Sequence, residues 1–511
     1  MLRGAIRAAL PKEQFGDHLT ILSGTGQNIA GLAIFVAATF GTNVLISRSF
    51  GADGPSALGT ITLATQFAFI GGAATRFGMD MAAVRRVAID LGKGEPGRVR
   101  AVLARAAAIA AAVSVVAGVL VFLGAGALAR AFGAGGGGKT AFQAAALALP
   151  FVALVQVYLG GTRGLKIMRH TLFIYWAGQP VAWMLLMVLG WVVSKSIGMS
   201  VLAYSLSWVL ATVAAWFVWV RETRSFSSLE AQTGEVRELI RYGTPRAPAA
   251  VLSQLLFWTD YFVFSRYAKG PELGVYAAAV RVAQALALFL IAVNYMFSPF
   301  VADLHARGQR ERLDGLYKAL TRWVVAGTLP LLLLLAIVPG PVLRIFGGKF
   351  ESGTTALRIL LSGQAVNVAV GSVGFILIMV GRTGWDLVVY AASFLLDLGV
   401  ALALAPRLGA EGAAIAQAVT MVVSNAARLY LVWRFVHIQP FNRHYLRLLV
   451  PAGAGGLVML GVHLALRHGA WPIDLVGTGV AGGIAYVGAL VAFGLAPGER
   501  RALRRIVGRQ P

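Results

Sequence analysis

Long apolar runs alternate with short polar breaks along nearly the whole chain. The runs are about 20 residues or more, the length a helix needs to cross ~30 Å of hydrocarbon. The pattern predicts spans at about 20–46, 57–83, 101–128, 141–162, 172–194, 199–220, 245–268, 273–301, 319–338, 354–381, 385–405, 410–433, 447–466 and 472–495. The expected fold is therefore an all-α polytopic membrane protein with about fourteen transmembrane helices. Its longest polar interruption runs from Arg221 to Arg246 and separates six spans from the next six. The expected organisation is an N-terminal lobe (1–220), a linker (221–244), a C-terminal lobe (245–437), and spans 13–14 with a basic tail (438–511).

The two halves echo each other. "ISRSFGADGPSALGTITLA" after span 1 resembles "FSRYAKGPELGVYAAA" after span 7, with Arg48 over Arg266 and Leu58-Gly59 over Leu273-Gly274. "LKIMRHT" at the end of span 4 resembles "IMVGRTG" at the end of span 10. Both halves run in the same orientation, which predicts two parallel six-helix repeats around a central cavity, related by an axis along the membrane normal. Spans 13 and 14 form a C-terminal helix pair outside the repeat. Small residues crowd spans 1 and 3, permitting close, slidable helix contacts.

Composition agrees with this picture. The 511 residues are 58% hydrophobic and only 13% charged, with a mean hydropathy of +0.74, too little charge to cover a soluble surface. Arg3, Arg7, Lys12, Glu13, Asp17 and His18 interrupt the first segment, which reads as a cytoplasmic lead-in rather than a signal peptide. The chain has no cysteine, which excludes disulfides, thiolate metal sites and cysteine nucleophiles, and its seven histidines lack metal-ligand spacing. A net charge of +24 would suggest nucleic acid in a soluble protein; here it reports topology. With the N-terminus inside, 31 of the 45 Lys and Arg fall on or beside cytoplasmic segments, ten fall on external turns, and Arg76, Arg281, Arg358 and Arg428 lie within spans. That bias predicts cytoplasmic termini and places the tail "ERRALRRIVGRQP" against anionic headgroups. "GAGGGGKT", Gly133 to Thr140, fits the phosphate-loop pattern but falls in an external turn without a preceding strand, so no nucleotide is expected there.

"SRSFGADGPSALGTITLA", "YFVFSRYAKGPELGVYAAAVRVAQAL", "SPFVADLHARGQRERLDGLY", "RIFGGKFESGTTALRILLSGQ" and "LGAEGAAIAQAVTMVVSNAARLYLVWRF" together resemble bacterial polysaccharide flippases of the multidrug/oligosaccharidyl-lipid/polysaccharide exporter superfamily. The likeness runs in order over residues 20–437, and fourteen spans fit the O-antigen-type and lipid II-type flippases. The resemblance implies a transporter rather than an enzyme, moving an undecaprenyl-linked oligosaccharide from the cytoplasmic to the outer leaflet of a bacterial inner membrane. It implies membrane lipids and the lipid-linked glycan as partners, no nucleic acid, no nucleotide, no cofactor beyond a sodium ion or proton, and a monomer near the glycan polymerisation machinery.

The charges inside the spans carry the candidate chemistry, because a charge near mid-membrane costs several kcal/mol unless it meets protein, water or a partner. Asp260 and Arg281 flank the turn near Gly270-Pro271 at equal distance, so an ion pair fixing helix register is one reading. The other separates them. Asp397, with Ser393 one turn away, lies eight residues from the outer end of span 11, as Asp260 does in span 7, and Gln417 lies at a comparable depth in span 12. Two carboxylates, a hydroxyl and an amide oxygen suit a hard monovalent cation or a shared proton. The resemblance to lipid II flippases implies a cation site at these four positions, with serine and glutamine as departures from the family pattern. Arg281 would then face a lipid pyrophosphate, which guanidinium binds bidentately. Arg76 is the equivalent candidate in the first half, with Asp80 at i+4, and Arg48 is a third, nearer the outer surface. Asn28, Gln66, Gln284 and Asn294 are candidates for sugar hydroxyls or for interhelical hydrogen bonds. Competing functions are a cation-coupled multidrug exporter, against which the in-span arginines argue, and a membrane glycosyltransferase, polymerase or ligase. The enzymes would require an Asp-x-Asp motif or a large external loop, and the sequence contains neither.

Overall fold

The computed structural model describes residues 31, 33–92, 95–226, 235–244, 246–268 and 270–495. Among the described residues the regular structure is entirely helical. Nine helices there are long and apolar enough to cross a membrane, ten if one bent pair counts as a single span. The chain divides into two compact units.

One unit comprises Gly31–Ala278 with Tyr390–Ala416. Its helices are α1 (Ala33–Ser49), α2 (Gly54–Thr75), α3 (Met79–Gly92), α4 (Pro96–Ala131), α5 (Gly138–Gly164), α6 (Gln179–Val193), α7 (Ile197–Glu222), α8 (Glu235–Gly243), α9 (Arg246–Leu255) and α10 (Thr259–Ser265). It also holds the start of α11 (Glu272–Gln284). Local signals set several of these starts. Proline occupies the first turn of α2 and α4, where its missing N–H costs nothing. Ser196 caps α7 by accepting from the Met199 N–H at 3.2 Å. The interior is built from small and medium residues such as Ala82, Ala83, Ala106, Ala110 and Val102, while Val116, Leu120 and Leu123 of α4 point outward, Leu123 at 76% exposure. Large apolar side chains outside and small ones inside are what a helix bundle in lipid requires, since acyl chains solvate leucine and close backbone packing holds the helices together.

The other unit comprises the described residues of Ala279–Val389 and Gln417–Pro511. It holds the end of α11, then α12 (Ala287–Ala306), α13 (Arg310–Ile337), α14 (Pro339–Leu343), α15 (Thr354–Val370) and α16 (Val373–Met379). Both ends of α17 (Thr383–Val436) follow, then α18 (Leu449–Leu466) and α19 (Trp471–Ala489). Its core joins Phe297, Leu313, Tyr317, Leu377 and Val432. Asp386 and Arg428, both buried, pair at 3.4 Å within α17.

The helices depart from the expected spans in a systematic way. Span 2, expected over 57–83, breaks after Thr75, where Phe77 and Gly78 take φ of 53° and 70° and end α2 before α3 begins. Span 7 breaks between Leu255 and Thr259, and span 8 between Gln284 and Ala287. Span 10 bends by 47° between α15 and α16. Hydropathy cannot register such breaks, because the apolar composition continues through them. Spans 11 and 12 run on as the 54 residues of α17, with Gly409 non-helical at φ 58° and ψ −133°. A straight helix of that length would reach ~80 Å, so the kink at Gly409 divides it into two membrane-length pieces.

Candidate functional site

The interruption of span 7 builds the site. Leu256, Phe257 and Trp258 form a turn, and the Thr259 hydroxyl donates to the Leu255 carbonyl at 2.8 Å across it. Asp260 thereby falls in the first turn of α10, where its carboxylate suits the positive end of the helix dipole. It is fully buried, as is Asp397 of α17. The Asp260 backbone N–H donates to Asp397 Oδ2 at 3.3 Å. The Tyr276 hydroxyl of α11 donates to Asp260 Oδ2. Asp397 Oδ1 is buried and accepts no hydrogen bond among the described residues. Ser393, one turn before Asp397, is buried as well. Asp397 Oδ2 thus reaches the backbone of a second fully buried aspartate, and burial raises the cost of keeping both carboxyl groups charged.

The remaining candidates are distributed as follows. Gln417 is buried on α17 and belongs to the other unit, three residues before the buried Thr420. Arg281 and Gln284 are half-buried in the last turn of α11, and Asn294 is buried on α12, all three in that same unit. Arg76 caps the end of α2, with its Nε 3.4 Å from Oδ1 of the buried Asp80, an ion-pair contact short of hydrogen-bond geometry. Arg48 is exposed at the end of α1, and Gln66 is half-buried on α2. Asn28 lies outside the described residues. Gly133–Thr140 forms a turn that enters α5.

Two tyrosines escape sequence reasoning. Tyr261 donates its hydroxyl to the Gly59 carbonyl at 2.8 Å, and its ring stacks on that of Tyr276 with centroids 6.3 Å apart. A tyrosine in an apolar run reads as ordinary core. The available signal is a difference between the halves: in the aligned "LGTI" and "LGVY" segments, Tyr276 stands where the first half has Ile61.

Comparison with known proteins agrees with the helical architecture. A sequence profile of the family described as "Polysaccharide biosynthesis protein" matches residues 54–352, more than half of the chain. No curated protein sequence matches it. The lipid II flippase MurJ in an inward closed conformation superposes with a TM-score of 0.69 at 14% identity, covering 94% of this chain and 99% of that one. An inward-facing multidrug resistance transporter of the MATE family, from the MOP superfamily, gives 0.65 at 14% identity, covering 80% and 98%. A MOP superfamily transporter from Pyrococcus furiosus gives 0.58 at 14% identity, covering 82% and 95%. At such identities the superpositions establish the fold, that of MOP superfamily transporters. The profile match establishes the family: this multi-pass membrane chain belongs to the Polysaccharide biosynthesis protein family.

Proposed function

We propose that the protein is a flippase that carries an undecaprenyl-(pyro)phosphate-linked oligosaccharide from the cytoplasmic to the outer leaflet of a bacterial inner membrane by alternating access, driven by a cation gradient. The observation that carries the reading is the bond from the Asp260 backbone N–H to Asp397 Oδ2, which brings two fully buried aspartates together at a helix break. Such a pair is costly as structure alone, and the cost is offset when a proton or sodium ion enters. A cation bound there drives transport only if it binds one conformation better than the other. Discontinuous helices at the site support this role, since broken spans place polar backbone where it meets substrate or ion.

Ser393 and Gln417 add a hydroxyl and an amide oxygen to the cation site in this reading. Arg281 and Arg76 take the lipid (pyro)phosphate, with Arg48 guiding it at the membrane boundary. Asn28, Gln284 and Asn294 meet sugar hydroxyls. The family, whose printed description is polysaccharide biosynthesis, and the fold shared with a lipid II flippase support a lipid-linked glycan as cargo. The protein makes and breaks no covalent bond in this scheme. It works as a monomer with both termini in the cytoplasm, as the distribution of Lys and Arg supports.

Complementation of bacterial strains that each lack one defined glycan flippase tests the proposal. Rescue of one strain, lost on Asp260→Asn, is the expected result. Failure in every strain, with purified protein exporting lipophilic cations instead, would replace the reading with that of a drug exporter.

A further inference from the structure

The repeat-related glycines of the two halves touch each other. A Cβ built on Gly59 would lie 2.9 Å from the Gly274 nitrogen and 3.3 Å from its Cα, and one built on Gly274 would fall on the Pro55 carbonyl oxygen. The first two turns of α2 and the first turn of α11 therefore meet backbone to backbone, closer than any other residue permits. Leu58 and Leu273, the residues preceding these glycines, are buried, and so is Thr60 just after Gly59. By the charge bias, this seam lies toward the outer face.

Two hydrogen bonds hold the seam, and both run through α10. Tyr261 ties α10 to α2 through the Gly59 carbonyl. Tyr276, two residues beyond Gly274, ties α11 to α10 through the Asp260 carboxylate. The stacked rings lie between them. Glycine contacts are smooth and weak enough to part. A buried phenol bonded to a carboxylate is charge-assisted and among the stronger neutral-to-ion contacts. The combination is that of a latch on a door, not of a permanent core.

We propose that the Gly59–Gly274 seam is the gate on the outer side and that Tyr261 and Tyr276 are its positioning residues, holding it shut from the same helix that carries Asp260. The proposal rests on the alternating-access reading and adds to it the place where the outer path opens. Opening separates α11 from α2 and requires release of the Tyr276–Asp260 bond.

The absence of native cysteine makes the test direct. Thr60→Cys, the sole thiol, is exposed to a membrane-impermeant maleimide added outside intact cells, in the otherwise unchanged chain and with Tyr276→Phe or Gly274→Ala added. Thr60→Cys alone should be protected. Tyr276→Phe, which removes one oxygen and keeps the ring, should label about tenfold faster, the scale of one lost hydrogen bond to an ion, at normal abundance. Gly274→Ala should label faster too. Since added bulk at the seam puts folding at risk, Tyr276→Phe decides. Protection retained in Tyr276→Phe at normal abundance overturns the gate, whatever the cargo. Faster labelling in a protein that moves no lipid-linked glycan supports the gate and removes the cargo assignment instead.

Discussion

Two helix breaks carry buried acidic groups, and they handle the charge in different ways. At the end of α2, Arg76 and Asp80 sit one turn apart and face each other as opposite charges. At the start of α10, the Asp260 backbone N–H donates to the carboxylate of Asp397, 137 positions away. The first arrangement is complete within one segment: its members offset each other's desolvation and call for no third party. The second joins residues from distant parts of the chain, with the Tyr276 hydroxyl donating to the Asp260 carboxylate. Burial is common to both, and what differs is how far along the chain each carboxylate finds its contacts. The difference separates a local pairing across a bend from a contact that only the packed chain creates.

The largest effect should come from the like-charged pair. Asp260→Asn and Asp397→Asn should each reduce gradient-driven glycan transport in proteoliposomes by about 100-fold, the upper range for loss of one coupling free energy. The double variant Asp260→Asn/Arg281→Gln should remain inactive. Recovery of transport in that double variant would show that Asp260 serves chiefly as an ion-pair partner of Arg281, and the contrast between the two breaks would collapse.

Arg281→Ala comes next. It should abolish transport at normal protein abundance, and Arg281→Lys should restore only part of it, because lysine lacks the bidentate fork for phosphate oxygens. Transport assays on membranes matched for protein amount check this, and full activity in Arg281→Ala would remove the residue from the substrate path.

At the first break the effect should fall on stability as well. Arg76→Ala strands the buried Asp80 and should cost about 1–3 kcal/mol, visible as a lower unfolding midpoint in detergent. Arg76→Ala/Asp80→Ala should regain most of that stability while transport stays low if Arg76 also meets phosphate. A double variant no more stable than the single would show that the pair is not self-contained.

The smallest effect concerns α8. Glu238 is half exposed and lies 2.7 Å from Arg86 of α3. Glu238→Ala should change stability by no more than about 1 kcal/mol, as for solvent-screened pairs, with transport unchanged in the same assay.

Some of this was legible in the sequence and some was not. Span existence was readable because apolar length is a local quantity; α4, α5, α7 and α13 all lie where long apolar runs predicted them. The pairing of Arg76 with Asp80 was readable because the two stand four positions apart, although a helix break, not a continuous helix, brings them together. The breaks at Arg76–Gly78 and Leu256–Trp258 were not, because hydrophobicity averaged over 20 residues is blind to three non-helical ones. Tyr276 was hidden for a different reason. Nothing near it in the sequence predicts that a buried phenol will find a carboxylate sixteen positions back, since that depends on how α11 folds against α10.

The sequence by itself determined the solvent, the class of fold and the residues that could not be passive. Its apolar runs demand a membrane, and Asp260, Asp397, Arg76 and Arg281 stand out as charges where charges are expensive. Tertiary structure decided which of them answer one another. Asp80 stays with Arg76, while Asp260 is turned by a helix break onto Asp397 and Tyr276. The reason is range. Hydropathy and helical spacing act over one to six turns, but electrostatic and hydrogen-bond partners act over a few ångströms in space, and only the packed chain brings positions 260, 276 and 397 within them.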